Sequence, residues 1–146
     1  MSMVNFQYAD RRLSLRDKNR IKSLVALIFK KEKVAMGGLN YVFCSDAYLL
    51  DINRRFLQHD YYTDIITFGL SEEGMPVEAE IYISVDRVQE NARELGISFR
   101  EEMLRVIFHG ALHLCGYRDK KKAEVLLMRE KENSYLRLYE KSLVRG

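Results

Sequence analysis

The sequence predicts an α+β fold: a small mixed β-sheet of about four strands packed with about five helices. Three observations point to it. Short runs rich in β-branched and aromatic residues cluster in the first two thirds of the chain. Apolar residues at helical spacing flank and follow them. The chain has 146 residues, 47% of them apolar and 31% charged, enough to bury one core in one globular domain spanning residues 1–146.

Residues 3–8 alternate weakly and read as an edge strand. Residues 16–34 carry Ile21, Leu24, Val25, Ile28 and Phe29 on one helical face, and Gly37-Gly38 is the expected stop. Residues 39–44 read as a strand, after which Ser45 or Asp46 caps a helix running to about Phe56. Residues 64–68 and 79–84 are two further strands, expected to pair across an acidic loop that holds the only proline, Pro76. Residues 85–95 form a helix ending at Gly96. Ser98 and Glu101 then form a capping box that opens a helix to about Cys115, with Gly116 as a left-handed stop. Residues 120–140 form a last, charged helix.

Composition narrows the function classes. The two cysteines, Cys44 and Cys115, make no CxxC pair, which excludes a disulfide scaffold and a four-cysteine zinc ribbon and fits a reducing cytoplasm. The longest aliphatic run, Leu24 to Phe29, is far below the roughly 20 residues of a membrane span, and no signal-like segment opens the sequence, so a cytoplasmic protein with no membrane partner is expected. Charge is uneven. Residues 1–40 hold nine Lys/Arg against three Asp/Glu, residues 41–99 four against eleven, and residues 100–146 eleven against seven. Basic ends around an acidic middle fit either a polyanion binder with an acidic or metal-binding centre or solvated helix faces that pair with one another.

Chemistry concentrates in one stretch. Two of only three histidines, His109 and His113, lie four residues apart on the 98–115 helix, hence on one face about 6 Å apart. Gly116 breaks the helix and lets Asp119 swing back toward them. Two imidazoles and one carboxylate leave the fourth position of a tetrahedral Zn²⁺ open to water, the layout of a catalytic rather than a structural zinc. Such a water has a pKa near 7. Spacing alone also fits a histidine pair that binds nothing. A metallopeptidase HExxH places a general-base Glu directly after the first histidine, where this chain has Gly110. That glycine leaves room either for a close-approaching substrate or for tight helix packing.

The run His109-Gly110-Ala111-Leu112-His113-Leu114-Cys115-Gly116-Tyr117-Arg118-Asp119 resembles the HGxLHLxGYDH signature of the YbeY family, bacterial metal-dependent endoribonucleases of ribosomal RNA maturation. Two upstream segments resemble the family in order and spacing. Ile52-Asn53, Phe56, Asp60 and Thr63 to Phe68 match LNxxYRxKDxPTDVLSF, and Ala79 to Ser84 match GDIxIS. The likeness is good over residues 39–130. Two departures stand out: Asp119 occupies the place of the third histidine ligand, and Leu57 that of an arginine credited with substrate contact.

The resemblance implies an α+β fold with a metal in a cleft, and one Zn²⁺ per chain on His109, His113 and Asp119. A carboxylate is harder than imidazole and shifts the metal preference toward Mn²⁺ or Mg²⁺-like ions. The implied activity is single-strand-specific endonucleolytic cleavage of ribosomal RNA, in small-subunit 3′-end maturation and ribosome biogenesis. RNA and the ribosome or a ribosomal protein are the implied partners. Metal-bound water is the implied nucleophile, with His59 as a possible general acid or base, since imidazole exchanges protons near neutral pH. Arg54, Arg55, Lys120, Lys121 and Lys122 are candidates for phosphate contacts, and Tyr61, Tyr62 and Tyr117 for base stacking or for packing. Asp60, Thr63 and Asp64 suit turn geometry first and a site role second. Two other readings stay open: a non-catalytic ribosome-assembly factor with a structural metal, and a metal-dependent hydrolase of another substrate.

Overall fold

Alternation along the strands sorts the molecule into two apolar layers. The structure, a computed structural model, describes residues 3–144, so the outermost residues of the expected domain lie outside the described ones. Its elements are β1 (Val4–Tyr8), α1 (Lys18–Lys31), β2 (Met36–Cys44), α2 (Asp46–Leu57), β3 (Ile65–Gly69), β4 (Val77–Ser84), α3 (Val85–Leu95), α4 (Phe99–Leu114) and α5 (Lys122–Val144). The four strands form one mixed sheet in the order β1-β2-β4-β3. β2 pairs in parallel with β1 and β4, and β3 lies antiparallel on β4 at the edge.

Leu39, Tyr41 and Phe43 of β2 and Ala79, Ile81 and Ile83 of β4 face the larger core, which they share with α1, α4 and α5. The intervening positions turn to the opposite face. There Cys44, Ile66, Phe68 and Tyr82 pack with Leu49 and Ile52 of α2. A parallel pair covered on both faces reads as an almost continuous apolar run, as Tyr41-Val42-Phe43-Cys44 does. α4 is the central helix of the larger layer, with Met103, Ile107, Phe108, Ala111 and Leu112 wholly buried. The Tyr41 hydroxyl donates to the Ile107 carbonyl at 2.8 Å, which satisfies a buried polar atom and ties β2 to α4.

The expected α+β fold with four strands and five helices is observed. Ser45, rather than Asp46, caps α2 by accepting from the Tyr48 N–H. Ser98 caps α4 by accepting from the Glu101 N–H, but no bond returns from the Glu101 carboxylate to the Ser98 N–H, so only half of the expected box forms. One expectation is corrected. α1 stops before Gly37-Gly38, because Lys33 takes a left-handed φ of 60°. Both glycines lie inside β2, where the register with β4 shifts between Met36 and Gly38. A Cβ on Gly37 would sit 2.7 Å from the Glu78 carboxylate, so the close strand approach uses this glycine.

Candidate functional site

The last two turns of α4 and the turn after it assemble the site. His109 and His113 share a helix face, as their spacing requires. Gly116, at a φ of 109°, ends the helix in a conformation that L side chains rarely adopt. The chain then reverses and brings Asp119 Oδ2 to 3.3 Å from His109 Nε2. The expected return of Asp119 is observed.

Each histidine has its other ring nitrogen committed. His109 Nδ1 donates to Glu132 Oε2 at 2.6 Å, and His113 Nδ1 donates to the Tyr117 carbonyl at 3.1 Å. An ionised carboxylate and a carbonyl accept only, so in both rings Nδ1 carries the proton. Glu132, on α5, is buried, and its second oxygen accepts from Arg105 at 2.9 Å. Burial works against the Glu132 charge, but His109 and Arg105 outweigh it and hold the pKa below the ordinary carboxylate range. Burial likewise works to lower the His109 pKa, but Glu132, Asp119 and Asp64 outweigh it and raise it. His109 thus sits between two carboxylates, Glu132 at Nδ1 and Asp119 at Nε2.

All three histidines open onto one cavity of about 390 Å³, together with Asp119, Asp64 and Lys120. His59 lies on the loop after α2, its Nδ1 3.0 Å from the Tyr61 hydroxyl and its ring stacked on Tyr61. Asn53 is buried, and its amide donates to the Tyr61 carbonyl at 2.9 Å, which holds that loop against the cavity. A second, smaller cleft between α4 and α5 continues from His109 and Asp119 to Asp64, Glu102 and Arg129. Burial raises the pKa of Asp64 and of Glu102, and the charges of Asp64 and Glu132 add to the rise at Glu102. One Glu102 oxygen is buried without a partner.

The other sequence candidates are placed unevenly. Lys120 lines the cavity, and so does Leu57, at the position of the family arginine. Arg54 and Arg55 do not line it. Arg54 pairs with Asp60 and Arg55 with Asp51, both at exposed positions. Lys121 is exposed, and Lys122 is the first residue of α5. Tyr62 lies under the Arg87 guanidinium, 5.0 Å from its ring centre. Tyr117 is not free to stack on a base, because its hydroxyl donates to Glu32 and Lys131 covers its ring. Cys115 packs against the larger core. Gly110 faces the sheet, and a Cβ there would sit 2.9 Å from Ile65 Cδ1 and 3.3 Å from Ile81 Cγ2. The glycine thus serves close packing, and a peptidase-type glutamate has no place there. Glu132, Arg105 and Glu102 were not identified from the sequence. Glu132 carries no motif of its own and meets His109 and Arg105 of α4 only through the packing of α5 on α4.

The residue types fit a divalent ion. Each imidazole keeps Nε2 as its remaining donor, and Asp119 adds a carboxylate beside one of them, a combination suited to zinc or a harder ion. A ligating histidine whose second nitrogen is held by a carboxylate or a carbonyl is the usual outer-sphere pattern. Among the described residues, no three His, Cys, Asp or Glu side chains are already drawn together as a metal-holding group. No helix of the described residues is long and apolar enough to cross a membrane.

Comparison with known proteins bears on the family and the fold. A family model described as Endoribonuclease YbeY matches residues 4–140. Among curated relatives, an Endoribonuclease YbeY of Cytophaga hutchinsonii is 49% identical over 135 residues, 92% of this chain and 94% of that protein. One of Flavobacterium psychrophilum is 42% identical over 94% of this chain and 96% of its own length. The solution structure of a Thermotoga maritima protein superposes with a TM-score of 0.66 at 28% identity, covering 97% of this chain and 92% of that one.

Proposed function

This chain belongs to the Endoribonuclease YbeY family, and from that premise we propose that it is a metal-dependent endoribonuclease cutting single-stranded ribosomal RNA in small-subunit 3′-end maturation and ribosome biogenesis. The proposed setting is the cytoplasm, and the proposed partners are ribosomal RNA and the ribosome or a ribosomal protein. One Zn²⁺ per chain is the proposed metal, with Mn²⁺ or Mg²⁺ as the alternatives that a carboxylate ligand favours. The observation that carries this reading is the approach of Asp119 to His109 Nε2 at 3.3 Å on the wall of a cavity that also holds His113 and His59.

His109 and His113 would hold the metal through Nε2, and Asp119 through its carboxylate. When bound, a divalent ion supplies Lewis acidity at a phosphate oxygen and lowers the pKa of water. Lys120, at the cavity edge, neutralises backbone phosphate. His59 keeps Nε2 for proton exchange while its Nδ1 is engaged by Tyr61. Tyr61, more than half exposed, offers a ring face to an unpaired base.

The test is cleavage of a single-stranded ribosomal RNA fragment by the purified chain, with and without chelation. Cleavage should vanish in His113→Ala at unchanged circular dichroism. Equal cleavage by that variant would expose a contaminating ribonuclease and remove the reading. A second reading, an RNA-binding assembly factor with a structural metal, is favoured by Leu57, an apolar side chain on the cavity wall where the family has arginine. Ribosomal RNA binding that survives chelation, with no cleavage, would select it.

A further inference from the structure

We propose that Glu132, braced by Arg105, is a positioning residue that sets the ring orientation and tautomer of His109 and thereby the affinity of the site for its metal. This inference rests on the metal reading above and adds a residue on another helix to it.

The two histidines are held in different ways. His113 is fixed by a main-chain carbonyl four residues on, so any sequence that makes the same turn supplies the same acceptor. His109 is fixed by a side chain 23 residues away on α5. The Glu132 carboxylate is 4% exposed, a costly place for a charge unless it is fully paired. It is paired on both oxygens. Oε2 takes the His109 Nδ1 proton at 2.6 Å, and Oε1 takes an Arg105 proton at 2.9 Å. Arg105 is itself anchored by donating to the Asn133 side-chain oxygen at 2.8 Å. Arg105 and His109 lie one turn apart on α4, while Glu132 and Asn133 are adjacent on α5. The two helices are thus clamped at the level of His109, and the carboxylate cannot rotate away without abandoning both partners.

Such a clamp acts on the ring in two ways. An acceptor-only partner at Nδ1 keeps the proton there, so Nε2 keeps its lone pair toward the cavity. A charged acceptor also makes the ring a stronger donor to a cation than a neutral carbonyl does, and loss of such a partner costs roughly 10–100-fold in metal affinity. His109 is the histidine that Asp119 approaches, so its orientation governs how that imidazole and carboxylate meet.

The experiment is zinc binding by the full chain, measured by competition with a chromophoric chelator, for wild type, His113→Ala, Glu132→Ala and Glu132→Gln. The expected order is wild type tightest, Glu132→Gln weaker, and Glu132→Ala weaker by roughly 10–100-fold. In parallel, long-range proton–nitrogen spectra of the zinc-loaded wild type should show His109 protonated at Nδ1. In Glu132→Ala that proton should exchange fast while the His113 signals stay in place. A merely structural role would lower the melting temperature without moving His109 selectively. Zinc affinities of both Glu132 variants within twofold of wild type would overturn the proposal. So would a zinc-loaded wild-type His109 protonated at Nε2, a result that needs no variant to fold. If wild type and His113→Ala both fail to bind zinc, the metal reading itself falls and takes this one with it. If wild type binds, His113→Ala does not, and the Glu132 variants are unaffected, only this one falls.

Discussion

The Tyr117 hydroxyl donates to the Glu32 carboxylate at 2.6 Å, joining the end of α1 to the turn between α4 and α5. The same Tyr117 accepts the His113 Nδ1 proton on its main-chain carbonyl. One residue therefore anchors the turn by its side chain and a candidate ligand by its backbone. Glu32 also accepts from Tyr135 at 2.5 Å and from Lys131 at 3.4 Å. Tyr117→Phe removes a hydrogen bond to a charged group and should destabilise the chain by about 1.5–3 kcal/mol. It should also weaken zinc binding by loosening the turn that carries Asp119. Urea unfolding with chelator competition measures both, and a change under about 0.5 kcal/mol, within the surface-mutation range, would mean that Tyr135 and Lys131 alone hold Glu32.

Acid stability follows from the same cluster. Burial pushes the Glu32 pKa up, but the hydroxyls of Tyr117 and Tyr135 and the charge of Lys131 outweigh it, and the net is below the ordinary value of 4.5. A carboxylate whose folded pKa is depressed binds fewer protons folded than unfolded. Its stabilisation is complete above the unfolded pKa and is lost as pH falls through the folded one. Unfolding free energy should therefore drop below about pH 4.5, and Glu32→Gln should be less stable at pH 7 but show a shallower acid limb. Denaturant titrations between pH 3 and 7 check this, and parallel limbs for the two proteins would refute it.

What was legible in the sequence was local. His109, His113 and the bend at Gly116 sit within eleven residues, so spacing and one glycine suffice to bring Asp119 back. The strand read at 79–84 is likewise local, and its alternate residues Ala79, Ile81 and Ile83 all reach the larger core. Glu132 was not legible, because its role depends on how α5 packs on α4, and nothing in its neighbourhood of sequence marks it as different from other acidic residues on a charged helix. Arg54 and Arg55 show the complementary limit. Their charge is visible in sequence, whereas their capture by Asp60 and Asp51 away from the cavity is a matter of rotamer and loop position. Gly37-Gly38 resembled a helix stop because a strand's need for a missing Cβ beside Glu78 leaves the same signature as a cap.

Gly110 offers a direct check on its packing role. Gly110→Glu would write the HExxH pattern of a metallopeptidase into α4. The new side chain would start against Ile65 and Ile81, inside the packing between α4 and the sheet. An uncompensated buried charge costs about 3–5 kcal/mol. The expected outcome is a severe loss of stability with no peptide hydrolysis. A variant that melts near wild type and cleaves peptides would show that the helix face is assigned wrongly.

Lys120 and Arg54 separate a cavity cation from a peripheral one. Lys120 lines the cavity with the three histidines, whereas Arg54 is spent on Asp60 at 2.5 Å. Each phosphate contact to a single strand adds about 0.7 to the slope of log affinity against log salt concentration. Lys120→Ala should therefore weaken binding of a single-stranded RNA oligonucleotide and flatten its salt dependence by about 0.7. Arg54→Ala should leave the slope within error, since its guanidinium pairs with Asp60 and does not line the cavity. Fluorescence anisotropy from about 50 to 200 mM salt resolves the two, a range over which counterion release is readily measured. If Arg54→Ala flattens the slope and Lys120→Ala does not, the strand crosses α2 instead of the cavity that holds His59, His109 and His113.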